Sequence, residues 1–279
     1  MDNSRRREIR RIADIFRGNC KINRYAIIDI FKEVESCEYK LIRYPLGEDG
    51  DLGFVIRKDR DIIVFSNTSS RLSREIFTLA HEIGHIKLHM GEKNSFIDNA
   101  HTISSVTRNI DQMEQEANYF AACLLMPDDE VNRFFDRELD NEALHELSVF
   151  DVARIMSEFN VSFDMVLNRL ENMGKIDCNE RVRLDNRRNQ VRVGNLLRSV
   201  GGNSRLNEAS EEISIPYEYM EYVIFNYNKG AIPKKTLERV LAYYQLNIDD
   251  ISDKLVTKKQ IEDDDERTRL IILRSNIYN

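Results

Sequence analysis

The sequence predicts an α+β fold. A small antiparallel sheet packs on helices that carry a His-Glu-x-x-His motif, followed by a helix-turn-helix-like segment and a C-terminal α-helical region. Three observations predict it. The short runs "YKLIRYP", "LGFVIR" and "DIIVFSN" have strand character and are separated by the turn signals "GEDGD" and "KDRD". The stretches on either side repeat apolar residues at helical spacing. No apolar run approaches the roughly 18 residues that a membrane-spanning helix needs.

Taken in order, "EIRRIADIFRG" is periodic and closed by Gly18, and "RYAIIDIFKEVES" reads as a second helix. The three strand-like runs follow. Helical period then extends from Ser73 to roughly Met90 and ends at Gly91. Residues 91–109 are polar and without period, a length more typical of a lid or binding loop than of a connection. Helix returns in "DQMEQEANYFAACLL" and meets Pro127. "LSVFDVARIMSEFNVSFDMVLNRLENMG" has a helix-turn-helix outline, with Ala153 in the first helix, "FNVS" as the turn, and Val166 and Leu170 facing inward from the second. That second helix carries Arg169 but also Asp164 and Glu171, a poor set for phosphates or guanine edges, so packing is favoured over DNA reading. Residues 178–210 turn charged and Asn-rich, as a linker or docked arm would. From 211 to 279 the pattern is helical again, with Lys229-Gly230 as a break and Pro233 at a helix start.

The chain has 279 residues and a formal net charge of −7, which argues against a protein that coats nucleic acid. The basic run Arg5–Arg11 and the acidic run Glu262–Arg267 read as solvated helix faces. Cys20, Cys37, Cys123 and Cys178 are far apart and form no C-x-x-C pair, which favours a reducing compartment. The basic N-terminus has no apolar core behind it, as a signal peptide would. The expected location is the cytoplasm.

The chemistry concentrates in "FTLAHEIGHIKLH". A helix turns about 100° per residue, so His81 and His85 stack on one face roughly 6 Å apart along the axis and can aim ring nitrogens at one point. Glu82 stands beside them, where a carboxylate reaches a metal-bound water without coordinating the ion. A catalytic zinc needs a third protein ligand. His89 is excluded because His81 to His89 spans about 12 Å of helix, too far for both to close on one ion. The next helix offers Glu114, with Asn118 four residues on and on the same face. Glu114 is the preferred ligand, and Asn118 is placed to accept the far N–H of a ligating imidazole. Glu116 is the competitor on the opposite face. Asp111 and His101 stay as further candidates nearer the loop.

"REIFTLAHEIGHIKLH" followed by "EQEANYFAACLLMP" resembles the ImmA/IrrE-type metallo-endopeptidases, and the likeness covers roughly residues 1–175. The resemblance implies a zincin-like metallopeptidase domain over residues 1–130 and a helix-turn-helix-like segment over 131–177. It also implies zinc (Zn2+) held by His81, His85 and Glu114, with Glu82 as the catalytic base. The implied substrate is a protein, a helix-turn-helix repressor of a mobile element or stress response. A departure is Ile76, where the family often has a basic residue. The competing reading is a regulatory module that docks to a repressor or to DNA around a structural metal; intact Glu82 argues against it, because a structural zinc needs no base. A substrate strand is expected to add to the sheet edge at "DLGFV". For the oxyanion, Tyr119, His145 and Arg74 are candidates. No membrane partner is expected.

Overall fold

In the computed structural model, residues 1–47, 49–58, 60–91, 95–98, 112–139 and 146–255 are described. They form two compact units, Met1–Ile215 and Pro216–Asn279. In the first unit, helix α1 (Asn3–Gly18) starts where the Asp2 side chain accepts from the Arg5 backbone N–H at 2.8 Å. It buries Ile9, Ala13 and Phe16, one stripe at helical spacing. The next segment differs from the sequence reading. Ala26–Ile27 (β2) pair with Ile22–Asn23 (β1), and helix α2 is confined to Ile30–Ser36. The reason is local: Asp29 accepts from the N–H groups of Phe31 and Lys32 and sets the helix start there.

Four strands build the main sheet: β3 (Lys40–Tyr44), β4 (Gly53–Lys58), β5 (Asp61–Asn67) and β6 (Ser95–Asp98), in the order β3-β5-β4-β6. The fold is α+β, but the sheet is mixed rather than purely antiparallel. β4 and β5 form an antiparallel pair, while β3 lies parallel to β5 with Leu41 opposite Val64. Strand β6 arises from the stretch read as a loop and pairs with β4, Phe96 opposite Val55. This corrects the expectation for "DLGFV": β4 is flanked by β5 on one side and β6 on the other, so it is an interior strand. The outer side of β3 is bridged at Arg43 by Ser214.

Helix α3 (Leu72–Leu88) carries the histidines and is buried on most of its circumference. It lies against the sheet and against helix α4 (Gln112–Leu125). Gly84 permits the close crossing, since a Cβ there would stand 3.1 Å from Ala117 Cα and 3.2 Å from Ala117 O. The start of α3 is tied down by a buried ion pair. Arg43 Nε and Nη2 reach the two carboxylate oxygens of Glu75 at 2.8 and 3.1 Å, and Ser210 and Glu212 complete the cluster.

Helices α5 (Asp128–Glu138), α6 (Val149–Phe159) and α7 (Phe163–Asn172) follow. The last two form the helix-turn-helix outline, with Asn160 in the left-handed region at φ 56°. The second of them is committed to the protein's own interior. Arg169 is buried, donates to the Met126 carbonyl and pairs with Asp128, while Asp164 and Glu171 pair with Arg188 and Arg181.

The 178–210 stretch differs from a linker. It folds as α8 (Cys178–Arg188), α9 (Val193–Ser199) and a 3-10 turn (Ser204–Asn207). Leu184, Leu196, Leu197 and Leu206 are fully buried in the main core, so four well-spaced leucines outweigh a charged composition. The second unit has its own small core. Val223 and Ile224 of α10 (Tyr217–Asn228) pack with Leu237, Val240 and Leu241 of α11 (Lys234–Tyr243) and with Ile251. The acidic run 262–267 lies outside the described residues. Among the described residues no helix is long and apolar enough to cross a membrane.

Candidate metal centre

Helix α3 presents His81, Glu82 and His85, all fully buried. The Nε2 atoms of His81 and His85 are 2.9 Å apart. From α4, the Glu114 carboxylate brings Oε2 to 3.2 Å from His81 Nε2 and Oε1 to 3.4 Å from His85 Nε2. Among the described residues, this is the group whose ligand atoms could hold a metal ion. Asn118, one turn beyond Glu114, places Oδ1 2.9 Å from His81 Nδ1. An amide oxygen only accepts, so the proton sits on His81 Nδ1 and the Nε2 lone pair faces the cluster.

The donor set fits zinc. Ligands held tetrahedrally at about 2.0–2.1 Å lie about 3.3 Å from one another. The 2.9 Å between the two imidazole nitrogens and the contacts of 3.2 Å to Glu114 Oε2 and 3.4 Å to Glu114 Oε1, two different oxygens, lie near that value. One ligand atom from each residue falls within 4.8 Å of the others. Two imidazole nitrogens and a carboxylate are also a set that intermediate-softness divalent ions accept. The electrostatics favour positive charge at the centre. Burial pushes the Glu114 carboxyl up, while hydrogen bonds and positive charge from doubly protonated His81 and His85 pull it well below the ordinary carboxylate range. That shift belongs to the protonated rings, and a bound cation takes their place when the rings are neutral.

Glu82 is held by the sheet. A Cβ on Gly53 of β4 would stand 2.6 Å from Thr78 Cγ2 and 2.9 Å from Glu82 Oε1, so only glycine allows the strand to pass this close. Phe96 of β6 covers the other flank, its ring stacked on His85 with centroids 4.1 Å apart and an interplanar angle of 15°.

His89 and Glu116, set aside as ligands on spacing, are brought together. His89 Nδ1 lies 3.1 Å from His85 Nδ1, and its Nε2 lies 3.2 Å from Glu116 Oε2. Arg5 of α1 reaches the same oxygen through Nε at 3.0 Å and Nη2 at 2.6 Å, and Gln112 donates to Oε1 at 2.8 Å. Burial pushes the Glu116 carboxyl up, but these donors outweigh it and hold it at about 2. The sequence reading sets His89 aside as a ligand and expects it to line the cleft or pack; the structure buries it between His85 and Glu116. The i, i+4 spacing that stacks His85 on His81 also stacks His89 on His85, and that signal was available. Gly53 and Phe96 had no comparable signal, because strand pairing brings them in.

Of the oxyanion candidates, Tyr119 accepts from Arg10 at 3.2 Å. Arg74 precedes His81 by about two helical turns, roughly 10 Å. His145, like the alternative ligands His101 and Asp111, lies outside the described residues. None of the curated proteins compared with the chain matches it. Residues 36–171 match the family model described as Peptidase_M78, IrrE N-terminal-like domain. With His81, His85 and Glu114 gathered inside that span, this part of the chain belongs to the ImmA/IrrE-type family of metallopeptidases.

Proposed function

We propose that the protein is a cytoplasmic zinc-dependent endopeptidase that hydrolyses a peptide bond in a helix-turn-helix transcriptional repressor of a mobile element or stress response. The observation that carries this reading is the convergence of His81, His85 and Glu114 within 4.8 Å of one another, with Glu82 buried beside them. His81, His85 and Glu114 would hold the ion. Zinc, when bound there, supplies a Lewis acid for the scissile carbonyl and lowers the pKa of a coordinated water. Glu82 takes the proton from the attacking water and delivers it to the leaving amine as the C–N bond breaks. Its burial against Gly53 limits the rotamers open to it and supports that role. The neutral His81 and His85 keep their Nε2 lone pairs toward the centre.

The test is Glu82→Gln, which removes the base and leaves the ligand set. The variant is expected to retain zinc and lose cleavage of a small helix-turn-helix repressor encoded beside it, read by mass spectrometry of the products. If zinc-loaded Glu82→Gln still relieves repression as the wild type does, without cleaving the repressor, the peptidase reading fails and the docking-module alternative stands. Cleavage at the wild-type rate would instead remove Glu82 as the base.

A further inference from the structure

We propose that His89, Glu116 and Arg5 are positioning residues for His85, forming a buried chain that locks the His85 ring in the tautomer able to bind metal. The proposal rests on the reading of His85 as a ligand. Direction along the chain follows from its outer end. The Glu116 carboxylate only accepts, and it already receives Arg5 and Gln112. His89 Nε2, 3.2 Å away, therefore carries a proton. With that single ring proton, His89 has its lone pair on Nδ1, which faces His85 Nδ1 at 3.1 Å; a second proton on His89 would reverse the bond, and the ring-nitrogen spectrum separates the two. His85 must donate from Nδ1, and its Nε2 lone pair is left pointing at His81 and Glu114. Reversing the chain would set a bare His89 nitrogen against a carboxylate and place the His85 proton on the ligating atom.

The two imidazoles are thus oriented by different means. Asn118 on α4 fixes His81 in one bond. His85 is fixed through two buried groups, His89 (2 % exposed) and Glu116 (3 % exposed), and the chain ends on Arg5. Arg5 belongs to α1, outside the residues that match the family model. It is separated from Glu116 by 111 positions, so the N-terminal helix braces a site built from α3 and α4. Outer partners of ligating histidines commonly contribute about 10–100-fold to metal affinity.

The experiment measures zinc affinity by competition with a chromogenic chelator, alongside the ring-nitrogen NMR spectrum of His85 in the metal-free full chain. In the wild type His85 is expected to be protonated at Nδ1 and bare at Nε2. His89→Phe keeps ring volume but removes the acceptor; zinc affinity should fall about 10–100-fold and the His85 tautomer should become mixed. His89→Gln, which can accept from His85 and donate to Glu116, should recover most of the loss. Arg5→Met, at the partly exposed end, should weaken zinc several-fold and shift the His85 tautomer while the protein remains folded. If His89→Phe does not fold, Arg5→Met and the wild-type spectrum decide. A wild-type His85 protonated at Nε2, or folded variants with unchanged affinity and tautomer, overturns the proposal. A wild type that binds no zinc sinks the metallopeptidase reading instead, while the tautomers of wild type and Arg5→Met still decide the chain.

Discussion

The backbone of Gly53 passes so close to Glu82 that a methyl group there would stand 2.9 Å from the carboxylate oxygen Oε1. Strand β4 therefore walls in the residue proposed as general base. Gly53→Ala should move Glu82 or push the strand away, since the added carbon would also stand 2.6 Å from Thr78 Cγ2 and 3.1 Å from the Phe65 carbonyl. The expected result is a kcat reduced by about 10²-fold, the cost of misplacing a catalytic group by about 1 Å. Zinc content should stay at the wild-type level, because none of the three proposed ligands is displaced. A kcat within twofold of wild type would show that Glu82 is not held by this contact.

Asn118 tests the other imidazole. Asn118→Ala removes the acceptor 2.9 Å from His81 Nδ1 and should weaken zinc about 10–100-fold. Asn118→Asp keeps an acceptor and should bind zinc at least as well as the alanine variant by tenfold. Isothermal titration with zinc in a competing buffer separates the two outcomes.

The Arg43–Glu75 pair concerns stability rather than chemistry. Both side chains are buried, and they tie β3 to the first turn of α3. Glu75→Gln leaves Arg43 with Glu212, which is half exposed. Breaking a buried pair from one side costs about 3–5 kcal/mol, and the remaining partner should hold the loss near the lower figure. Urea unfolding monitored by circular dichroism reads this directly.

Cysteine reactivity gives a pH signature. Burial, with Glu33 and Cys37 nearby, pushes the Cys20 thiol up to about 12. Only the thiolate is alkylated, so its rate should keep rising about tenfold per pH unit between pH 8 and 10. The exposed Cys178 should react first with iodoacetamide at pH 8. Peptide mapping by mass spectrometry assigns the order; a Cys20 rate that levels off below pH 10 would contradict the shift.

Much of this protein is written in local pattern. The strand runs, the helix bearing His81 and His85, and the face shared by Glu114 and Asn118 all follow from periods of 2 and 3.6, which depend only on neighbouring residues. The division of charge in the second helix-turn-helix element was likewise readable, and the structure shows Arg169, Asp164 and Glu171 spent on internal pairs. What sequence reasoning lost was set by partners far along the chain. Residues 178–210 look like a linker until Leu184, Leu196, Leu197 and Leu206 find a core to enter. Strand β6 is a polar stretch until β4 offers it hydrogen bonds, and that pairing makes β4 an interior strand.

By itself, then, the sequence determined the chemical alphabet of the site: two imidazoles one turn apart, a carboxylate beside them, and a second helix with Glu114 one turn before Asn118. Tertiary structure alone decided what surrounds each group. It placed Gly53 against Glu82, Phe96 on His85, and His89 between His85 and a Glu116 held by Arg5. The physical reason is range. Helical spacing acts over a few residues and can be read from any short window. Close approach of backbone, ring stacking and the direction of a buried hydrogen-bond chain depend on which distant segments fold against each other.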